Sequence, residues 1–260
     1  MLNQNTNYRV FTLGNPFNET VTSYYHKSIG GYHGAKLKRY QELIDFRIAK
    51  ESQFVQQNIN RLGLSVFKET PTLNMLNTKY VVLNPQQRPV QNNYAQGNAW
   101  FVADIEIMDD ADAEIRALSD STVDVAKTAV VHKSFQGVQT IKNRDLGAKI
   151  EMVQYAANLI EYAATSQSAQ NAIFSEIYYP EGWHCYINGK LVNDYRANYI
   201  LRGVVVPAGK SKIEWKFEPQ TFYTYKSASL FGSLFLILGF LIVTVRSLKP
   251  VLNHQNPEVK

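Results

Sequence analysis

The stretch NAIFSEIYYPEGWHCYINGKLV, residues 171–192, decides the fold. Asn188-Gly189 stands between Tyr186-Ile187 and Lys190-Leu191-Val192. Both positions of a tight hairpin turn need positive φ, which Asn and Gly tolerate, so the flanks read as paired strands. Upstream, IEMVQYAANLIEYAATS (150–166) reads as further strand. Downstream, VVVPAGKSKIEWKFEP (204–219) sets Ile213, Trp215 and Phe217 on one face and Lys212, Glu214, Lys216 and Glu218 on the other, the period of a half-buried strand. Short, evenly spaced strands with turn residues between them predict an antiparallel β-sandwich over residues 148–222.

Further upstream, residues 1–147 predict a mixed α/β region. Tyr8–Leu13 is a short extended segment, and Gly14–Thr20 is a polar loop. From Ala35 onward Leu37, Tyr40, Leu43, Ile44 and Ile48 recur at helical spacing, and residues 53–62 continue as a second helix ending near Gly63. TLNMLNTKYVVLN (72–84) is a helical turn leading into a buried strand at Lys79–Leu83. AWFVADIEI (99–107) alternates like one strand, and Ala129–His132 is another. DDADAEIRALSD (109–120) begins with the acids that a helix N-terminus favours. The predicted class is α+β: a mixed N-terminal part, then the sandwich, then one transmembrane helix.

That last element is SASLFGSLFLILGFLIVTV (227–245), uncharged between Lys226 and Arg246. At 1.5 Å per residue it spans roughly 28 Å, close to the thickness of a hydrocarbon core. A core helix of a soluble domain keeps a polar stripe, and this segment has none. Tyr223 and Tyr225 precede it at the place favoured by interfacial rings, which sets the membrane segment at 223–246 and a tail at 247–260. Arg246 and Lys249 predict a cytoplasmic tail, with residues 1–226 extracytoplasmic and the protein integral to the cell membrane. The opening MLNQNTNYRVFTLGN has no basic n-region, apolar h-region or small-residue cleavage site. A domain of this size does not cross a membrane unaided, so either further transmembrane segments lie upstream in a polytopic protein, which is the expectation, or the orientation is reversed.

The 260 residues carry a net charge of +5, but the 27 Lys and Arg are spread without the dense run of a nucleic-acid arm, so no nucleic-acid partner is expected. The 16 Tyr, 13 Phe and 3 Trp suit a β-rich domain. Cys185 is the only cysteine, which excludes an intrachain disulfide and reads as a small buried hydrophobe. His26 and His33 lie seven apart, while His132, His184 and His254 are isolated. Neither a metal nor a cofactor is expected, because metal-ligand spacing, P-loop, dinucleotide fingerprint and nucleophile elbow are all missing from the sequence. Asp109, Asp110 and Asp112 read as helix-dipole partners rather than a catalytic pair.

One segment concentrates chemistry. Tyr24-Tyr25-His26-Lys27 through Tyr32-His33-Gly34-Ala35-Lys36 gathers two His, two Lys and three Tyr around Gly30-Gly31. Tyr faces stack on sugars, and Lys and His neutralise phosphate. Two readings stand here: a ligand-binding segment, and a surface loop of ordinary solvated residues.

SYYHKSIGGYHGAKLKRYQELID (23–45), NMLNTKYVV (74–82), GNAWFV (97–102), FSEIYYPEGWHCYINGK (174–190) and YRANYILRGVVVPAGKSKIEWKFEP (195–219) together resemble the C-terminal region of the bacterial YfhO family, in its Bacteroidetes-type form. The resemblance covers nearly the whole chain. It implies a cell-envelope membrane protein similar to lipid-linked-sugar glycosyltransferases, with an extracytoplasmic C-terminal domain ahead of the last membrane helix. Its implied partners are a membrane, a lipid-phosphate-linked sugar and a cell-envelope glycan acceptor. The family's catalytic acid lies in an early loop outside this chain, so no catalytic residue is carried over, and the fragment alone is expected to be inactive. On that reading Lys27, His33 and Lys36 meet phosphate or sugar beside His26, and Tyr25 and Tyr32 are stacking platforms. Trp183, Arg196 and Arg202 hold the β-domain together, with Arg196 also able to reach a ligand. The alternative is a membrane-tethered, non-catalytic carbohydrate-binding or assembly module.

Overall fold

A computed structural model of the chain describes residues 7–14, 16–32, 34–119 and 123–253. The chain divides between Phe217 and Glu218 into two compact units.

The first unit opens with β1 (Arg9–Thr12) and the short helix α1 (Val21–Tyr25). The Glu19 carboxylate accepts from the backbone N–H groups of Val21 (2.9 Å) and Thr22 (3.4 Å), filling the role of an N-cap acceptor for α1. α1 thus begins directly after the polar loop read at Gly14–Thr20. α2 (Lys38–Leu43) passes through a π-helical turn (Ile44–Ile48) into α3 (Ala49–Leu62), burying Leu43, Ile44, Ile48 and Val55. Gly63 ends α3 with φ of 56°, a conformation an L side chain resists. After a 3-10 segment (Gly63–Glu69), α4 (Pro71–Met75) starts on proline, and its Thr72 and Leu73 amides donate to the buried Glu51 carboxylate at 3.0 and 2.9 Å. β2 (Thr78–Val82) and β3 (Val90–Gln91) complete a three-stranded sheet in the order β1-β2-β3.

AWFVADIEI is not one strand. It breaks at Ala103 into β4 (Ala99–Val102) and β5 (Asp104–Met108), because the amides of Ala103 and Asp104 both turn to the Lys127 carbonyl, at 2.6 and 3.0 Å. α5 (Ala111–Ala117) follows, with Asp110 capping it through the Ala113 amide at 2.7 Å, and leads to β6 (Thr128–His132), parallel to β5. The remaining strands are β7 (Lys149–Ala156), β8 (Leu159–Ser166), β9 (Gln170–Ile177), β10 (Trp183–Ile187), β11 (Lys190–Val192), β12 (Asp194–Ala197), β13 (Leu201–Val206) and β14 (Gly209–Phe217). The Asn-Gly hairpin forms between β10 and β11, with φ of 51° at Asn188 and 79° at Gly189.

Two larger sheets result: an antiparallel one in the order β11-β10-β14-β8-β7, and a mixed one in the order β4-β9-β13-β12-β6-β5. They pack face to face through Phe174, Val204, Ile160, Tyr162, Ile213 and Trp215. The Phe174 ring meets Tyr162 and Trp215 edge-on at 4.8 and 5.3 Å. The far side of the six-stranded sheet, including Trp100, Val102, Ile173 and Leu201, closes a second core with Leu43, Ile48, Phe67 and Leu73 of the helical layer. Because both faces of this sheet are covered, β9 is buried along most of its length instead of alternating between core and solvent. Its two edges, β4 and β5, are consecutive in sequence, so the sheet curls until one residue, Ala103, joins them.

The second unit is the helix α6 (Gln220–Asn253). Gln220–Arg246, 27 residues, is long and apolar enough to cross a membrane, and its side chains are exposed around the whole circumference.

Candidate functional site

The segment after α1 is held to β1 by the Val10 amide, which donates to the Lys27 carbonyl at 2.8 Å, and by a parallel bridge between Val10 and Ser28. The glycine pair that follows is packed rather than loose. A Cβ on Gly30 would lie 2.3 Å from the Pro16 carbonyl oxygen, and the Gly31 amide donates to that oxygen at 2.6 Å. This anchoring fixes a cleft of about 620 Å³ lined by Tyr8, Tyr24, Tyr25, His26 and Lys27. Tyr24 and Tyr25 meet edge-to-face at 4.9 Å and remain 81% and 71% exposed, so their ring faces are available.

A larger groove of about 1050 Å³ shares Tyr8, Tyr25 and His26 with the cleft. Its floor is the outer face of the β1-β2 pair, Val10 and Val82, and its rim carries Val21, Pro85 and Pro89. Arg88 and His26 supply basic groups to a mostly apolar lining. The one carboxylate there, Glu19, is engaged by the start of α1 and by the Thr22 hydroxyl.

Lys27 is the most perturbed cation of the cleft. Its Nζ donates to the Asn7 Oδ1 at 2.7 Å and sits 2.9 Å from the Tyr155 ring centroid. Burial lowers its pKa to about 8, with Glu176 drawing it back up and Arg9 pressing it down. Those two neighbours pair with each other at 3.4 Å, and Arg9 also donates to the Leu76 carbonyl at 2.9 Å.

The structure therefore brings together Tyr25, His26 and Lys27. Tyr32 is exposed and Lys36 lies over the Phe17 ring at 5.5 Å, and neither lines the cleft or the groove. His33 and His254 fall outside the described residues. Arg196 lies on β12, 3.2 Å from the Glu114 carboxylate, which also accepts from Arg39 at 3.0 Å. Arg202 is buried between the Trp183 and Trp215 rings, at 4.2 and 5.1 Å, and donates to the Ile177 carbonyl. Desolvation lowers its pKa. Cys185 is fully buried, and burial pushes its thiol pKa up, which makes it a poor nucleophile. Among the described residues no group of three or more His, Cys, Asp and Glu could hold a metal ion.

Sequence reasoning missed Tyr8, Arg88 and Tyr155. The first two sit in unremarkable contexts, and Tyr155 reaches Lys27 only because β7 folds back across more than a hundred residues.

Against known proteins, the family described as bacterial membrane protein YfhO matches residues 18–229. No curated protein matches the chain, and no solved structure does. The matched region takes in the cleft segment from Asn18, both large sheets and the start of α6. The quoted motifs, the two-core β-rich domain and the apolar C-terminal helix thus converge on one assignment: this chain belongs to the YfhO family of bacterial membrane proteins.

Proposed function

We propose that this chain is the extracytoplasmic C-terminal domain and last membrane helix of an integral membrane glycosyltransferase that uses a polyprenyl-phosphate-linked sugar. Its part is to receive substrate rather than to supply the catalytic acid. The observation that carries this reading is the apolar groove running into a cleft with His26, Lys27 and Arg88 at its polar margin. An isoprenoid chain matches the Val10–Val82 floor, a phosphate matches the cations, and the Tyr24 and Tyr25 rings offer stacking faces to a sugar. Arg246 and Lys249 beyond the apolar segment support a cytoplasmic tail and an extracytoplasmic domain.

The test is equilibrium binding of a polyprenyl phosphate to the full chain in phosphatidylcholine nanodiscs. His26→Ala combined with Lys27→Ala removes the Lys27 charge and a neighbouring imidazole hydrogen-bond partner, and affinity falls at least about tenfold with the folded fraction unchanged. Unchanged affinity would overturn the assignment. A second reading, a non-catalytic glycan-binding or assembly module, draws on the fate of three acids, Glu51 and Glu114 buried and Glu176 half-buried. Glu51, Glu114 and Glu176 are each held by arginine, at 3.1, 3.0 and 3.4 Å.

A further inference from the structure

Tyr8 also lines a pocket of about 250 Å³ whose lining is mainly Asn and Gln. Its walls include Asn77, Gln91, Asn93 and Asn98, with Tyr8 and Lys79 beside them. The local fold explains the concentration. Asn77 takes the left-handed conformation, φ 54°, in the turn that carries the chain from α4 into β2. Gln91 ends β3 opposite Tyr80, and residues 92–98 return toward β4.

The hydrogen-bonding capacity left over is specific. Asn77 Nδ2 donates to the Asn7 carbonyl (3.1 Å) and to Asn98 Oδ1 (2.9 Å), which fixes both side chains. The Asn77 Oδ1 acceptor and the Asn98 Nδ2 donor then make no hydrogen bond to a described residue, and neither atom is sealed from solvent. The Gln91 and Asn93 side chains are exposed and have no hydrogen-bond partner among the described residues. The neighbouring Asn92, by contrast, is spent structurally on Asn74 and Thr78. Tyr8 is braced edge-to-face by Tyr80 at 5.1 Å, and Lys79 lies over its ring at 5.4 Å.

We infer that this amide pocket is a binding subsite for one uncharged pyranose unit of a glycan. A hydroxyl both donates and accepts, and a carboxamide does the same, so fixed amides around a small concavity match adjacent sugar hydroxyls without demanding charge. The lining holds no carboxylate, and its one cation rests on an aromatic ring. The volume lies below the range of drug-sized sites, which suits a single ring rather than an extended ligand. A nucleobase would want an apolar slot on both faces, whereas one ring, Tyr8, stands here. Since Tyr8 also lines the cleft and the groove, a sugar in this pocket would neighbour whatever those hold. The inference rests on the reading of the domain as one that handles glycans, but not on the lipid-phosphate site.

The experiment is saturation-transfer NMR on the full chain in phosphatidylcholine nanodiscs free of glycolipid. The probes are methyl glycosides of glucose, galactose, mannose and N-acetylglucosamine. At least one binds saturably, with an affinity on the order of millimolar, and Gln91→Ala with Asn93→Ala weakens it by about tenfold or more through the lost hydrogen bonds. Both side chains are exposed, so the double variant keeps its fold and its polyprenyl-phosphate affinity. Failure of all four glycosides to bind, binding untouched by the double variant, or displacement by inorganic phosphate would each overturn the subsite. His26→Ala with Lys27→Ala separates the two assignments. Intact glycoside binding in that variant, with polyprenyl phosphate unbound even by the wild type, removes the lipid-phosphate reading and leaves this one standing.

Discussion

Lys27 shows how a single residue takes its chemistry from segments far apart in sequence. Its charged form is disfavoured by burial, and the ammonium is steadied by Asn7 and the face of Tyr155. An ordinary lysine keeps its proton to about 10.5, whereas Lys27 releases it near 8. Anion binding through Lys27 needs the protonated form, so polyprenyl-phosphate affinity falls as the pH rises through about 8. With Lys27→Arg the charge persists and the affinity holds across the same interval, as a pH series of nanodisc binding would measure. The linked effect on stability has the opposite sign. Between about 8 and 10.5 the unfolded lysine binds more protons than the folded one, so the cost of burying the cation is full below that window and vanishes above it. If affinity stayed flat through pH 8 in the wild type, Lys27 would not be the anion's partner.

At the scale of elements, the strands β12 and β13 illustrate a packing requirement that composition conceals. Tyr195 sits opposite Gly203, and a Cβ there would lie 2.2 Å from the Tyr195 ring. The ring is buried and its hydroxyl donates to Asn171 Oδ1 at 3.2 Å, so it has little freedom to retreat. Gly203→Ala should therefore destabilise the domain by about 1–3 kcal/mol, the range of core overpacking, as read by chemical denaturation. A neutral result would mean that the ring can move aside. What was legible in the sequence follows the same division. The Asn188-Gly189 turn, the alternation of β14 and the apolar run of α6 are local patterns, and each appears where the residues put it. The break at Ala103 was hidden, because it depends on the Lys127 carbonyl. So were the convergence of Tyr8, Lys27 and Tyr155 and the amide pocket, which need β2, β3 and β7 to be in place first. The segment 24–36 reads by composition either as a ligand-binding segment or as an ordinary surface loop, and only part of it lines the cleft, since Gly30 and Gly31 pack the chain against Pro16.

For the whole molecule, the sidedness of the two units is open to a direct experiment that Cys185 makes convenient. Its thiol is buried, so a membrane-impermeant maleimide has little native target. A cysteine placed by Asn93→Cys should label on intact cells, and one placed by Asn256→Cys only after permeabilisation. The reverse pattern would reject the extracytoplasmic assignment. The curled sheet carries a last consequence, for how the protein is made. β4 leaves the ribosome ahead of its neighbour β9, which, with Phe101 opposite Ala172, follows about 70 residues later, at cellular synthesis speeds a matter of several seconds. Throughout that interval an apolar strand with unpaired backbone groups waits for its partner, and nascent chains need shielding there if they are not to pair with one another. β9 and then β13 arrive to close the sheet, ahead of β14 and α6 in the chain. The arrival of β13, the last strand of the curled sheet in chain order, thus sets the moment at which a growing chain becomes safe from its neighbours.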